Sequence, residues 1–242
     1  MKYCVVYGSP RKKNTYHAVQ IVKERLTALG PAEFTEFYLP QDLPKFCTGC
    51  FTCIMKDEAL CPHREYTESI ERAMLEADGL IFSSPVYVME VAAPMKNMLD
   101  HFGYLFMPHR PHKEMFRKSA LVVSTTAGAG TKYAMDAIAR SLSYWGVSHI
   151  FRCGFAMQAA DFNGMKKENR SKAEQSLRQA ADRLYESLKK GSPPTIRTRG
   201  MFFVMKKMVL NIANNPPDRA YWKEQGWDRG EKPWNQAKGK QE

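Results

Sequence analysis

The stretch Gly8-Ser9-Pro10-Arg11-Lys12-Lys13-Asn14-Thr15 decides the fold of this chain of 242 residues. An apolar run over residues 2–7 precedes it and predicts a buried strand, and an apolar pattern of helical period follows over residues 15–29. Free backbone N–H groups and the positive end of the helix dipole make such a helix start an anion site. The stretch lacks the extra glycines of the dinucleotide fingerprint and of the Walker A loop. Its hydroxyl and amide donors suit a single terminal phosphate; the alternative is an ordinary strand-to-helix turn with a helix cap.

The rest of the chain alternates between strands and helices. Strands are predicted at 2–7, 33–39, 79–84, 120–125 and 148–156, and helices at 15–29, 65–77, 93–105, 132–145 and 166–190. This alternation predicts an α/β fold, a doubly wound five-stranded parallel sheet in the strand order 2-1-3-4-5. Because the order reverses between strands 1 and 3, the loops after strands 1, 3 and 4 are expected to share one ligand site.

The other two loops complement the first. Ser84-Pro85-Val86-Tyr87-Val88, after strand 3, offers the apolar and aromatic wall that a flat ring requires. Thr126-Ala127-Gly128-Ala129-Gly130, after strand 4, allows close approach of a ligand to the backbone. A phosphate at one end and a flat ring at the other describe a mononucleotide such as FMN.

These motifs together resemble the flavodoxin-like NADPH-dependent FMN reductase family, which includes the iron-sulfur flavoproteins. The resemblance covers residues 1–190 and rests on the 8–15 stretch, on Ser84-Pro85-Val86-Tyr87, on Met95-Lys96 with Asp100, and on the cysteines at 47, 50 and 53. The resemblance implies that the FMN phosphate is held by Ser9, Arg11, Asn14 and Thr15. It also implies that the isoalloxazine ring contacts Pro85, Val86, Tyr87, Val88, Thr126 and Gly128.

Two functions from different classes follow from the resemblance. The first is an oxidoreductase that passes hydride from NAD(P)H to FMN and then electrons to a quinone, a nitroaromatic, free flavin or a metal ion. The second is an electron carrier with FMN and a [4Fe–4S] cluster, which shuttles electrons between protein partners such as a ferredoxin-like donor. A flavin-free protein that keeps the fold for binding or regulation is a third, weaker interpretation.

Four cysteines fall in the long loop predicted over residues 40–64. Cys47, Cys50 and Cys53 at two-residue gaps, with Cys61 before a proline, resemble a [4Fe–4S] ligand set. The seven residues between Cys53 and Cys61 exceed the gap in the iron-sulfur flavoproteins. Four thiolates also suit zinc, and unmetallated thiols, including a reactive Cys50–Cys53 pair, remain open. Cys4, like Cys153, falls in a predicted strand and is expected to be a buried hydrophobe.

The charge and composition of the chain limit the ligands and the cellular location that can be expected. The formal net charge of +11 is spread along the chain, which suits phosphorylated cofactors, and no nucleic-acid-binding module is recognisable. No apolar run is long enough for a transmembrane segment and no signal peptide is recognisable, so a cytoplasmic location is expected. His109 and His112 are predicted to lie in a solvated loop.

The last segment of the chain breaks the α/β pattern. Residues 191–242 form a C-terminal extension beyond the FMN-binding domain predicted over 1–190, with an apolar helix over 201–212. Tyr221, Trp222 and Trp227 follow and are expected to be exposed. The extension is expected to pack on a partner subunit, making a homodimer or homotetramer, on its own domain, or on a membrane surface.

Overall fold

In a computed structural model, which describes residues 1–236, the chain folds around one twisted sheet. The strands are β1 (Lys2–Tyr7), β2 (Glu33–Tyr38), β3 (Gly79–Tyr87), β4 (Glu90–Val91), β5 (Ser119–Thr126) and β6 (His149–Ala156). The order is β2-β1-β3-β5-β6, with every neighbouring pair parallel, and β4 pairs antiparallel with the end of β3. The five parallel strands have the predicted order, and the flavodoxin-like α/β prediction is confirmed.

Helices cover both faces of the sheet. They are α1 (Asn14–Leu29), α2 (Thr52–Met55), α3 (Arg64–Glu76), α4 (Ala93–His101), α5 (Thr131–Tyr144), α6 (Lys167–Lys189), α7 (Ile196–Asn211) and α8 (Pro216–Glu224). Short 3₁₀ turns lie at Glu58–Leu60, Gly103–Leu105 and Lys113–Arg117. Within residues 1–236, no helix is both long and apolar enough to cross a bilayer.

The central strands divide the core into two layers. In β1, Val5 packs in the layer with α1 and α6, next to Leu26 and Leu177, whereas Val6 packs in the layer with α4 and α5. Successive side chains of a strand point to opposite faces, so a continuous apolar strand is what a sheet covered on both sides requires. Cys4 and Cys153 are buried in these layers, as predicted.

The described part of the extension packs on its own chain. Phe202 of α7 and Trp222 of α8 form a cluster with Trp227, and this cluster includes Met107 and Phe116 from the segment between α4 and β5. The two tryptophans are fully buried, so the expectation that the aromatic residues of this segment are exposed was wrong for them. Residues 237–242 of the predicted extension lie outside the described residues.

Several element boundaries differ from the prediction. The helix predicted over 201–212 begins at Ile196 and ends at Asn211. The helix predicted over 93–105 ends at His101, and Gly103–Leu105 forms a 3₁₀ turn instead. The strand predicted over 79–84 continues through Pro85 to Tyr87, where β4 pairs with it. The loop predicted over 40–64 contains α2 and the 3₁₀ turn Glu58–Leu60.

Candidate cofactor site

A cleft of about 380 Å³ opens beyond the carboxyl ends of β1, β3 and β5, where the strand order reverses. Its volume lies in the range of small-molecule sites, and the switch point of an open α/β sheet is where ligands bind. Of the residues predicted to bind a cofactor, the cleft is lined by Ser9, Arg11, Asn14, Thr15, Pro85, Val86, Tyr87 and Thr126. Val88 and Gly128 are not among the lining residues, so their contacts stay predictions.

The start of α1 is left open toward the cleft. Lys13, at the N-cap, makes no side-chain cap hydrogen bond, and residues 13–16 line the cleft. The first N–H groups of a helix have no partner within the helix. The helix start therefore presents free donors and the positive end of its dipole to any anion in the cleft.

Gly8 keeps the loop before α1 against the sheet. Its N–H donates to the carbonyl oxygen of Ser83 in β3 over 2.7 Å. A Cβ at this position would stand 2.9 Å from both that oxygen and the Cβ of Met95. The close packing of this loop on β3 therefore requires a residue without a side chain, as the sequence predicts for a tight strand-to-helix turn.

Asn14 and Thr15, the first two residues of α1, already make hydrogen bonds within the protein. Asn14 donates through Nδ2 to the carbonyl oxygen of Ala160 over 2.9 Å, and its buried Oδ1 has no hydrogen-bond partner within residues 1–236. The Thr15 hydroxyl lies 2.6 Å from that of Thr125 in β5. Thr15 therefore offers a ligand its backbone N–H more readily than its side chain.

Arg11 joins the phosphate side of the cleft to the ring side. Its Nη2 donates a short hydrogen bond to the Tyr87 hydroxyl, and its guanidinium lies 5.6 Å from the centroid of the Tyr87 ring. The two residues that were predicted for opposite ends of a flavin nucleotide thus contact each other. Arg11 and Lys13 are the charged residues among those found to line the cleft, which include no Asp or Glu. The cleft consequently favours an anionic ligand.

A tight hairpin ends β3 beside the cleft. Val86 pairs with Val91 of β4, and the turn between the strands places Val88 and Met89 at positive φ. Val88 is 98% exposed at the tip. Gly130 approaches this hairpin so closely that a Cβ on it would stand 2.8 Å from Cγ1 of Val86. The loops after β3 and β5 therefore meet, as the predicted convergence requires.

The loop after β6 forms a wall that the sequence reasoning missed. Met157, Ala159 and Ala160 line the cleft, and the Asn14 hydrogen bond described above ties this loop to α1. These are small or apolar residues without a recognisable motif. The only sequence signal was their place at the carboxyl end of a strand next to β5.

The cysteine segment 47–61 lies on α4, the helix that follows the hairpin. The N–H of Cys47 donates to Oδ1 of Asn97 over 2.8 Å, and the side-chain amide of Asn97 donates to the carbonyl oxygen of Lys45 over 2.9 Å. Cys53 packs against the core, while Cys47 and Cys50 are exposed.

The Cys53 thiol is affected by the other cysteines of this segment. Burial, and next the charges of Cys61, Cys47 and Cys50, raise the pKa of Cys53 to about 11. A hydrogen bond from the Thr52 side chain lowers the pKa of Cys50. Within residues 1–236, however, no three His, Cys, Asp or Glu side chains converge in an arrangement that would hold a metal ion. As placed, the thiols do not fit a [4Fe–4S] cluster or zinc, and their role as ligands stays a prediction.

The two histidines predicted to be solvated are half-buried and bonded to carboxylates. His109 Nδ1 lies 2.7 Å from Oδ2 of Asp218, and His112 Nε2 lies 3.0 Å from Oε1 of Glu71. Neither is among the residues that line the cleft. These contacts connect the extension and α3 to the loop after α4.

The reversed strand order beside a cleft with an open helix start and an apolar wall defines the class of flavodoxin-like mononucleotide-binding proteins. The family described as NADPH-dependent FMN reductase matches residues 1–161, and the chain belongs to this family. It is an NAD(P)H-dependent oxidoreductase whose cofactor is FMN.

The chain is also similar to individual flavoproteins and to solved structures of flavin-dependent enzymes. An iron-sulfur flavoprotein of Archaeoglobus fulgidus is 27% identical over 94% of this chain and 100% of its own length. An iron-sulfur flavoprotein of Methanocaldococcus jannaschii is 34% identical, but over 41% of this chain and 50% of its own length. The apo structure of an NADH:FMN oxidoreductase covers 76% of this chain and 89% of its own, with a TM-score of 0.55 and 17% identity, and so supports the fold alone.

Proposed function

We propose that the cleft binds FMN with its phosphate at the start of α1 and its ring against the ends of β3 and β5. The observation that supports this most is the pairing of an open helix start and two cations with an apolar wall, in a cleft where no acidic residue was found. Ser9, Arg11, Asn14 and Thr15 would hold the phosphate. Pro85, Val86, Tyr87, Val88, Thr126 and Gly128 would surround the ring.

The chain's own contribution to the reaction is binding and orientation. Bound FMN supplies the acceptance of hydride from NAD(P)H and the onward donation of electrons. Backbone N–H groups in the segments 85–88 and 126–128 would stabilise negative charge on the reduced ring. No side chain is required as an obligatory acid or base. Since Tyr87 is 40% exposed at the rim, a small acceptor such as a quinone, a nitroaromatic, free flavin or a metal ion would approach the same open side.

Arg11 provides the test of this placement. Arg11→Gln is expected to weaken FMN binding by about tenfold or more, because a charge-assisted contact to phosphate contributes roughly 1.5–3 kcal/mol. Riboflavin, which has no phosphate, should bind as tightly to the variant as to the parent protein. Titration of the flavin-free protein by flavin fluorescence measures both affinities.

Lys12→Gln is the matched control. Lys12 is exposed, is not among the residues lining the cleft, and lies with its Nζ 4.9 Å from the Tyr38 ring centroid. It should leave both affinities unchanged. If Arg11→Gln weakened riboflavin and FMN equally, Arg11 would act by holding Tyr87 and the proposed phosphate site would be wrong.

A second candidate is an electron-transfer flavoprotein with FMN and a [4Fe–4S] cluster at Cys47, Cys50, Cys53 and Cys61. The full-length similarity to an iron-sulfur flavoprotein favours it, and the four cysteines would have to move closer together to act as ligands. The basic net charge suits an acidic donor such as a ferredoxin-like protein. An absorbance spectrum of protein purified without air tests for the cluster by its broad sulfur-to-iron absorption. Rapid flavin bleaching by NADPH in stopped flow supports the reductase, and its absence supports the carrier.

We further infer that the chain forms a homodimer or homotetramer. The aromatic cluster of the extension is buried against the same chain, but other apolar side chains of α7 remain exposed. Ile196 is 90% exposed, Val204 63% and Phe203 48%. A helix that is apolar on both sides requires a covering surface on each. Light scattering after size exclusion gives the mass, and a monomeric mass would contradict this inference.

A further inference from the structure

Arg110 lies between two segments that are far apart in the sequence. Its side chain is almost fully buried, with the residue 5% exposed. On one side it faces the cysteine segment: Nη2 donates a short hydrogen bond to the carbonyl oxygen of Cys53, and Nη1 donates to that of Ile54 over 3.2 Å. Its Nε donates to Oε2 of Glu58 over 3.0 Å. One guanidinium thus binds α2 and the 3₁₀ turn that follows it.

On its other side Arg110 faces the C-terminal extension. Nη1 donates to Oδ1 of Asp218 in α8 over 2.6 Å, and Asp218 is 2% exposed. Asn215, just before α8, donates through Nδ2 to Oδ2 of Asp218 over 2.5 Å and to the carbonyl oxygen of Ile54 over 3.2 Å. The extension therefore contacts the cysteine segment both through Arg110 and directly.

Two further bonds fix α8 on the segment that carries Arg110. Trp222 donates through Nε1 to the carbonyl oxygen of His109 over 2.7 Å. The Tyr221 hydroxyl donates to the carbonyl oxygen of Pro111 over 2.9 Å. With the bond from His109 to Asp218, these contacts flank Arg110 on both sides, so the position of its guanidinium depends on α8.

The cysteine segment needs such external support. Helix α2 has four residues, none of them buried, and no side chain caps it within the described residues. A helix of this length does not persist on its own in water. The carbonyl groups of Cys53 and Ile54 accept hydrogen bonds from Arg110 and Asn215. Arginine suits this position because its planar group has five donors in a fixed arrangement.

We propose that Arg110 is a positioning residue that fixes the Cys53 end of the cysteine segment against α8, so that the C-terminal extension sets the accessibility of the Cys53 thiol. The role of the extension is then to hold the cysteine segment in place, in addition to covering apolar surface. This inference concerns the placement of the cysteine segment in the protein with free thiols, and it does not depend on whether FMN is bound.

The test is residue-resolved labelling of the thiols of the full chain with iodoacetamide, followed by mass spectrometry. In Arg110→Met, local opening of α2 is expected to raise the labelling rate of Cys53 about tenfold or more. The rates of the buried Cys4 and Cys153 should stay unchanged, because they lie in the sheet core. Arg110→Lys keeps the charge opposite Asp218 but not the two carbonyl contacts, so Cys53 should label faster in this variant as well.

Two more variants keep the test decisive. Asn215→Ala removes a direct contact to Ile54 without leaving a buried charge, and it should raise Cys53 labelling to a smaller extent. Arg25→Met breaks a surface ion pair of 2.7 Å with Asp182 and should change no rate. An unchanged Cys53 rate in the Arg110 and Asn215 variants would overturn the proposal. So would a parallel rise at Cys4 and Cys153, since that would mean a loss of global stability only.

Discussion

At the scale of single residues, Glu71 in α3 is a buried carboxyl whose pKa is strongly shifted by its neighbours. It is 5% exposed and accepts hydrogen bonds from three side chains, which are Arg64, Tyr104 and His112. Burial alone would raise the pKa of this carboxyl. The three hydrogen bonds outweigh burial and lower the pKa from 4.5 to about 2. Glu71 is therefore ionised and stabilising at neutral pH.

Replacement of the Glu71 carboxylate should lower the free energy of unfolding by an amount that depends on pH. Because the folded pKa lies below the unfolded value, the contribution is fully present above about pH 4.5 and is lost as the pH falls toward 2. Glu71→Gln is expected to lower the free energy of unfolding by about 3 kcal/mol at pH 7 and by much less near pH 3. Urea unfolding at both pH values measures this. Glu68→Gln, on the same helix but 60% exposed in its side chain, should change stability by less than about 0.5 kcal/mol.

At the scale of elements, the β3–β4 hairpin combines exposure with backbone strain. Val88 has φ of +49° at the tip and is almost fully exposed, so its side chain has little packing to lose. Positive φ is a conformation that β-branched residues rarely adopt. Val88→Gly should relieve about 1–3 kcal/mol of strain and cost roughly 1 kcal/mol of chain entropy. A net gain of about 1 kcal/mol in the free energy of unfolding follows.

Urea unfolding of the Val88 variant is compared with that of Val91→Gly. Val91 pairs with Val86 and packs against the core, so glycine there should lower stability by about 1 kcal/mol or more. If both variants lost stability alike, the tip would not be strained and Val88 would have a packing role. FMN affinity measured on the same proteins shows whether the tip contacts the flavin, as predicted.

The same elements show how far sequence reasoning reaches. The strand, loop and helix over residues 2–29 were predictable because each has its own local period and Gly8 marks the turn between them. The hairpin was not, because Pro85 indicates the end of a strand, whereas here it pairs within β3 next to β5. The wall formed by residues 157–160 was missed for a similar reason. The hydrogen bond from Asn14 to Ala160 connects this wall to α1 across 146 residues of sequence, and no local sequence pattern predicts such a contact.

At the scale of the whole molecule, the extension and the sheet domain share one apolar cluster. Phe116 contacts both Phe202 and Trp227, with ring centroids 5.7 and 6.4 Å apart. The sequence showed that residues 201–227 carry a large apolar surface but not where this surface is buried. The composition of the segment shows how much apolar surface it carries. Which residues cover that surface depends on contacts between parts of the chain that are distant in sequence. Arg110 illustrates the same limit, since its neighbours come from α2 and α8.

This shared cluster predicts that the extension and the sheet unfold together. Trp222 is fully buried and stacks on Phe202 at 5.1 Å between ring centroids. Trp222→Ala should therefore lower the free energy of unfolding by about 3–5 kcal/mol, the usual range for large-to-small changes in a core. Far-UV circular dichroism and the release of bound flavin should shift to the same lower urea concentration, as for one cooperative unit. Tyr133→Ala, at a residue 53% exposed, should shift neither signal. Early loss of part of the helical signal, with flavin release unchanged, would instead make residues 191–236 an independently unfolding segment.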